Sequence, residues 1–96
     1  MDMTERQQGA YAALAVMATK CEWRIARGDA MMGRFGESHE LTQVHRTAVY
    51  VLRDAAEAIR VEAMLPPEMV PDVLRTDYQP SSAKMDAVKV ALKVSR

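Results

Sequence analysis

Apolar residues recur along residues 11–32 at spacings that alternate between three and four. This heptad rhythm is typical of a helix that packs lengthwise against another helix. The stretch contains no proline and is rich in good helix formers, so it predicts one long amphipathic α-helix. The predicted buried positions are Tyr11, Leu14, Ala18, Cys21, Ile25, Gly28 and Met32.

A second apolar face, at about 100° per residue, covers residues 41–63 and predicts a second long helix. Its members are Leu41, Val44, Ala48, Val51, Leu52, Ala55, Ala56, Ile59 and Ala63. Only the short stretch 33–36 separates the two patterns, so the helices should run antiparallel as a hairpin. Thr4 or Asp2 is expected to cap the first helix and Ser38 the second.

The proline-rich part after the hairpin predicts shorter elements. Pro66 and Pro67 should end the second helix, because the residue before a proline is disfavoured in helical geometry. Residues 68–75 suit a short helix or turn that is interrupted at Pro71. Residues 84–94 fit either an amphipathic helix or an alternating strand, and the sequence leaves both open.

The expected fold is therefore a small all-α domain, a long antiparallel helical hairpin with a shorter C-terminal helical element packed across it. The hairpin takes residues 4–65, the Pro-punctuated linker and short helix take 66–80, and the C-terminal segment takes 81–96. With 96 residues, of which 49% are hydrophobic and 27% charged, the chain suits one globular domain.

Charge and targeting signals narrow the function classes. Thirteen basic residues balance thirteen acidic ones, which argues against a strongly basic nucleic-acid binder and against attraction to membranes. No apolar run approaches the roughly 20 residues that span a bilayer, and the first residues lack the order of a signal peptide. Cys21 is the only cysteine, so no internal disulfide can form. We expect a cytoplasmic protein.

Motifs for chemistry are weak. Residues 81–84 match the Ser-x-x-Lys pattern of penicillin-binding enzymes, but the companion motifs are missing and a serine at a helix start is ordinary capping. The Arg-Gly-Asp triplet at 27–29 would need an exposed loop to act as a recognition motif, but it lies within a predicted helix. His39 and His45 are six residues apart, which is unsuitable for two metal ligands on one helix face. We expect a non-enzymatic protein without metal or cofactor.

A second apolar line on the first helix is the most informative feature for function. A two-helix hairpin buries one side of each helix, so this outer line needs a cover from the C-terminal segment, from a second copy of the chain, or from another protein. The line comprises Ala12, Val16, Trp23 and Ala30, with a weaker counterpart in Tyr50, Val61 and Met64 on the second helix.

Tryptophan beside arginine is enriched at interface hot spots. We therefore expect a protein–protein interaction module, either a small subunit of a larger complex or a stand-alone inhibitor that occludes a partner's site. Its partner would be another protein or a second copy of itself. The expected contact residues are Trp23, Val16, Arg27 and Tyr50.

Nucleic-acid binding is the alternative. Arg46, Arg53 and Arg60 are spaced by seven and line one flank of the second helix, and Arg24 and Arg27 add positive charge on the first. Such a stripe can follow a phosphate backbone. Arginines beside an apolar stripe are, however, also the normal solvated margin of a bundle helix.

Overall fold

Over residues 2–75, which a computed structural model describes, the chain forms two long α-helices followed by two 3₁₀ turns. Helix α1 spans Glu5–Phe35 and helix α2 spans Glu40–Ala63. The 3₁₀ turns span Pro67–Met69 and Asp72–Leu74. The all-α hairpin fold is confirmed, whereas the choice between helix and strand for residues 84–94 falls outside the described residues. Neither long helix is apolar enough over its length to cross a membrane.

Local hydrogen bonds set the ends of α1. The Thr4 hydroxyl oxygen accepts from the Gln7 backbone N–H at 3.1 Å, and the Gln7 side-chain oxygen accepts from the Thr4 N–H at 3.1 Å. This reciprocal pair is a capping box, which satisfies two N–H groups that the first turn leaves open. At the other end Gly36 adopts φ +90°, which a glycine tolerates without a steric penalty.

Helix α2 begins one residue later than the sequence suggested. The predicted cap Ser38 is wrong, because the ring Nδ1 of His39 accepts the Leu41 N–H at 3.2 Å instead. The His39 ring stacks on Phe35 with 4.5 Å between ring centroids, and this contact ties the cap to the last residue of α1. The stacking partner comes from the preceding helix, so local capping preferences did not reveal it.

The end of α2 is fixed to the beginning of α1. Met64 adopts a left-handed conformation with φ 58°, and the Leu65 N–H donates to the Arg60 carbonyl at 3.0 Å. The exposed Met64 carbonyl then accepts the Gln7 side-chain amide at 3.2 Å. Helix α2 thus stops just before Pro66, as predicted.

The core lies between the two helices and under residues 65–75. Leu14 and Cys21 of α1 are fully buried, as is Ala56 of α2. Leu65, Val70, Leu74 and other apolar side chains of the last described segment complete this core on one side of the hairpin. The remaining buried members are Ala18, Val49 and Ala63. The two 3₁₀ turns therefore act as a cover for one side.

The predicted buried face of α2 is wrong over its first half. Leu41, Val44 and Val51 are exposed, while Thr42, His45, Arg46 and Val49 face inward. The buried polar groups find partners: the Thr42 hydroxyl donates to the Gly36 carbonyl at 2.9 Å, and an Arg46 Nη donates to the Met32 sulfur at 2.8 Å. On α1, Tyr11 is exposed, and Met31 is buried in place of the predicted Met32, which is half-buried.

At Gly28, helix α1 lies close to the His45 and Arg46 side chains of helix α2. A Cβ added at Gly28 would lie 3.5 Å from the His45 Cβ and 3.6 Å from the Arg46 Cγ. These are ordinary van der Waals distances, so one methyl group fits and a longer side chain does not.

Replacing Gly28 by alanine should therefore stabilise the protein by about 0.5–1 kcal/mol, the usual gain of alanine over glycine inside a helix. Gly28→Leu should destabilise it by about 1–3 kcal/mol through overpacking. Urea unfolding of both variants measures the difference. Gly9→Ala is the matched control, because a Cβ at Gly9 meets no atom within 4 Å. A loss of stability in Gly28→Ala, with a gain in Gly9→Ala, would contradict this spacing.

Candidate protein-binding groove

A groove of about 820 Å³ runs between α1 and α2. Residues 65–75 pack on the flank of α2 that carries Arg53 and Arg60, which donate to the Val73 and Leu65 carbonyls. The groove lies along the other flank. Its walls are formed by Lys20, Trp23, Arg24, Glu40, Gln43, Val44, Thr47, Ala48, Val51 and Leu52.

Large apolar side chains in the groove are open to water. The exposed fraction is 54% for Trp23, 50% for Val44 and 61% for Val51. Removing apolar surface from water contributes about 25 cal/mol per Å², so burial of these side chains in a complex would contribute favourably to the free energy of binding. An apolar patch with polar residues on its rim is typical of a binding surface.

Trp23 is held in place by two neighbours. Its indole meets the His45 ring edge-on, with 5.5 Å between centroids and 74° between the planes. The Arg24 guanidinium carbon lies 5.1 Å from the indole centroid, within cation–π range. An Arg24 Nη donates to the His45 Nδ1 at 3.0 Å. These contacts position the tryptophan at the groove before any partner arrives.

His45 is a neutral imidazole in this arrangement. Arginine has only donors, so the His45 Nδ1 must accept, and the ring proton is on Nε2. The ring is 9% exposed, and its burial lowers the pKa of His45 below the ordinary value. The positive charges of Arg24 and Arg27 lower this pKa further.

The surroundings of Cys21 are those of a structural residue rather than of a reactive thiol. Burial raises the pKa of its thiol, and the Sγ atom lies 3.6 Å from the Val73 carbonyl, to which the S–H can donate. A protonated, buried thiol is a poor nucleophile and a poor metal ligand. Among residues 2–75, no three histidine, cysteine or acidic side chains come together in a way that could hold a metal ion.

The expected contact residues occupy different places. Trp23 lies in the groove. Val16 and Arg27 are exposed on α1 but do not line the groove. Tyr50 is half-buried on the other flank of α2, where burial raises its pKa and the charges of Arg53 and Arg46 partly offset the rise. One continuous surface through all four expected residues is therefore not present.

The arginines proposed for nucleic-acid contact also separate. Arg46 is buried, and Arg53 donates to the Val73 carbonyl at 3.0 Å. Arg60 pairs with Glu57 at 2.5 Å and donates to the Leu65 carbonyl at 3.2 Å. Their spacing of seven therefore keeps these three side chains on the flank that packs against the rest of the fold. Of the five arginines, Arg24 is the one that lines the groove.

The sequence pattern missed Val44 and Val51 as surface residues of the groove. It assigned both to the core, because apolar residues occupy so broad a face of α2. Leu52, also predicted as buried, packs against the core and borders the groove. A signal was present nonetheless: Leu41, Val44, Ala48, Val51 and Ala55 follow the three-four spacing of a complete helix seam. Helix α2 thus has one face that packs against α1 and a second, apolar face that points away from α1.

The lowered pKa of His45 predicts that stability falls with acidification. Near and below pH 6.5 an unfolded histidine takes up a proton that folded His45 resists, so protons favour the unfolded chain. The contribution of neutral His45 to the free energy of unfolding is fully present above pH 6.5. It decreases as pH falls toward the pKa that His45 has in the folded state. Chemical unfolding between about pH 7.5 and pH 5.5 should show this decrease.

His45→Asn is the test variant, because its amide oxygen can accept from Arg24 without titrating. It should flatten the pH dependence, whatever its effect on absolute stability. An unchanged slope in His45→Asn would show that other groups cause the pH dependence.

No protein family model, curated protein or solved structure matches this chain. The groove geometry and the residues around it are therefore the basis for the function proposed below.

Proposed function

We propose that the protein is a non-enzymatic protein–protein interaction module that binds its partner in the groove between α1 and α2. It would act as a small subunit of a larger assembly or as an inhibitor that occludes a partner's site. The observation that carries this proposal is the exposed apolar surface of Trp23, Val44 and Val51. Lys20, Arg24 and Glu40 provide its polar rim.

The environment of Trp23 supports a role in binding. A buried tryptophan at the centre of an interface commonly contributes more than 2 kcal/mol to affinity, provided that it is well packed. Arg24 and His45 already restrict the indole, so little side-chain freedom is left to lose on binding. An exposed side chain without such neighbours would have to be ordered by the partner.

The shape of the groove favours a helical ligand. Two antiparallel helices with an apolar channel between them accept a third helix, whose apolar residues at positions i, i+3, i+4 and i+7 lie in the channel. The groove extends along α2 from Glu40 to Leu52. At about 1.5 Å per residue this length is about 18 Å, which matches three to four turns of a bound helix.

Nucleic-acid binding is less well supported. Three of the five arginines in that hypothesis, Arg46, Arg53 and Arg60, are engaged with other parts of the fold. An apolar channel with an acidic residue at one end also lacks complementarity to a phosphate backbone. Binding to DNA or RNA that weakens steeply with salt would nonetheless restore this alternative. The cytoplasmic location remains a prediction from the sequence.

Trp23→Ala should weaken any protein complex of this chain by about 2 kcal/mol, which is roughly thirtyfold in Kd. The reason is the loss of the largest apolar side chain from the groove. Binding isotherms of the full chain with its partner, or with itself, measure the change. Circular dichroism and urea unfolding should show that the fold is retained.

A matched pair of valines on α2 separates the groove from the rest of the surface. Val51 in the groove is 61% exposed, and Val61 outside it is 57% exposed. Val51→Glu should reduce complex formation at least tenfold, since it places an unpaired charge in the apolar channel. Val61→Glu should have little effect. Equal effects of the two substitutions would rule out the groove as the binding surface.

A further inference from the structure

The outer face of α2 carries an apolar seam with internal symmetry. Leu41, Val44, Ala48, Val51 and Ala55 are spaced by three, four, three and four. Leu41, Val44 and Val51 are among the most exposed large apolar residues, and Ala48 lies at the middle. Counted from Ala48, the apolar positions lie at minus four and minus seven on one side and at plus three and plus seven on the other, so the seam is nearly symmetric about Ala48.

Such a seam fits its own copy in the antiparallel direction. If two α2 helices cross at Ala48, Leu41 of one copy lies opposite Ala55 of the other, and Val44 lies within one residue, about 1.5 Å along the axis, of Val51. A small residue at the crossing point allows the two helix axes to approach closely, which is what an antiparallel contact needs at its centre. A parallel pairing would place Leu41 against Leu41 and Ala55 against Ala55, whereas the antiparallel pairing sets the long Leu41 beside the small Ala55.

The charges at the groove ends favour the same direction. Cys21 and Arg53 both bond to the Val73 carbonyl, so the neighbouring Lys20 lies at the level of residue 54 of α2. Glu40 lies at the other end of the groove, 14 residues away along α2, which is about 21 Å. When two copies are antiparallel about the middle of the seam, Glu40 of each reaches the level of Lys20 of the other.

The two Glu40–Lys20 pairs between the copies are exposed, so they contribute more to the relative orientation of the copies than to the affinity. In a parallel arrangement like charges would meet instead, Glu40 with Glu40 and Lys20 with Lys20. Asp54 lies at the same level but is not among the residues that line the groove.

We propose, on the basis of the protein-binding function above, that the partner in the groove is a second copy of this chain. Two hairpins stack through their groove faces about a two-fold axis and form an antiparallel four-helix bundle. Closed two-fold symmetry is the commonest arrangement of protein oligomers, and it uses one self-complementary surface twice. Trp23, Val44 and Val51 of both copies are buried in this assembly.

The test uses two charge variants of the full chain, Val44→Lys and Val51→Glu. Each alone places an unpaired charge against a valine of the other copy and should weaken dimer formation at least a hundredfold, as measured by sedimentation velocity over a concentration series. An equimolar mixture should recover the dimer, because Lys at position 44 then faces Glu at position 51 of the other copy. Circular dichroism on each variant checks that the hairpin is folded.

Val61→Glu is the control and should remain a dimer with the affinity of the natural chain. Recovery in the mixture is the decisive result, since a parallel dimer or a dimer through another face would not show it. If the two variants lose the dimer and the mixture stays monomeric, the antiparallel register is wrong and the inference is overturned.

Fluorescence of Trp23, the only tryptophan, separates the two ways in which a monomer can arise. A natural chain that stays monomeric with a quenchable, red-shifted Trp23 overturns the dimer but leaves the groove open for a different protein. A monomer with a shielded, blue-shifted Trp23 indicates that residues 76–96 cover the groove, and it overturns both the dimer and the proposed function. A dimer with shielded Trp23 supports both.

Discussion

The close approach of α1 and α2 at Gly28 is the constraint on which the rest of the structure depends. The space between the α1 backbone and the His45 and Arg46 side chains is about that of one methyl group, since a Cβ at Gly28 would lie 3.5 Å from the His45 Cβ and 3.6 Å from the Arg46 Cγ. Once these two side chains face α1, the rotation of α2 about its own axis is fixed. Each residue of a helix is turned by about 100° from the last, so Val44 and Val51 must then point away from the hairpin.

This rotation places polar groups where hydrophobic ones were expected, and the structure compensates for them locally. The Thr42 hydroxyl bonds to the turn at Gly36, while Arg46 reaches the Met32 sulfur. Arg53 and Arg60 extend from the same flank to the backbone of residues 65–75. Arg53 and Arg60 therefore hold residues 65–75 against one side of the hairpin. The apolar side chains of Val44 and Val51 are left exposed on the other side.

His45 connects the packing of the helices to the groove. Its backbone position belongs to the Gly28 contact, and its ring supports Trp23 and accepts from Arg24. Protonation of the ring would replace this acceptor by a donor beside a guanidinium group, which is repulsive. The protonation state of one buried side chain thus bears on both the stability of the fold and the placement of Trp23 in the groove.

The sequence by itself determined the elements: two long helices, a short turn, the stop before Pro66 and the interruption at Pro71. These features follow from hydrophobic periodicity and from the backbone restrictions of proline and glycine, which act over a few residues. Trp23 was also identified as an outward residue from its position opposite the seam. The cap at His39 was missed because its support comes from Phe35 in the preceding helix.

Only the tertiary structure decided which face of the first half of α2 meets α1. The outward face carries the apolar Leu41, Val44 and Val51, and the inward face carries Thr42, His45 and Arg46, so hydrophobic periodicity alone favours the wrong face. The choice depends on long-range contacts, namely the space at Gly28 and the bonds that satisfy Thr42 and Arg46. For the same physical reason Val44 and Val51, assigned to the core from their pattern, became the surface of the groove.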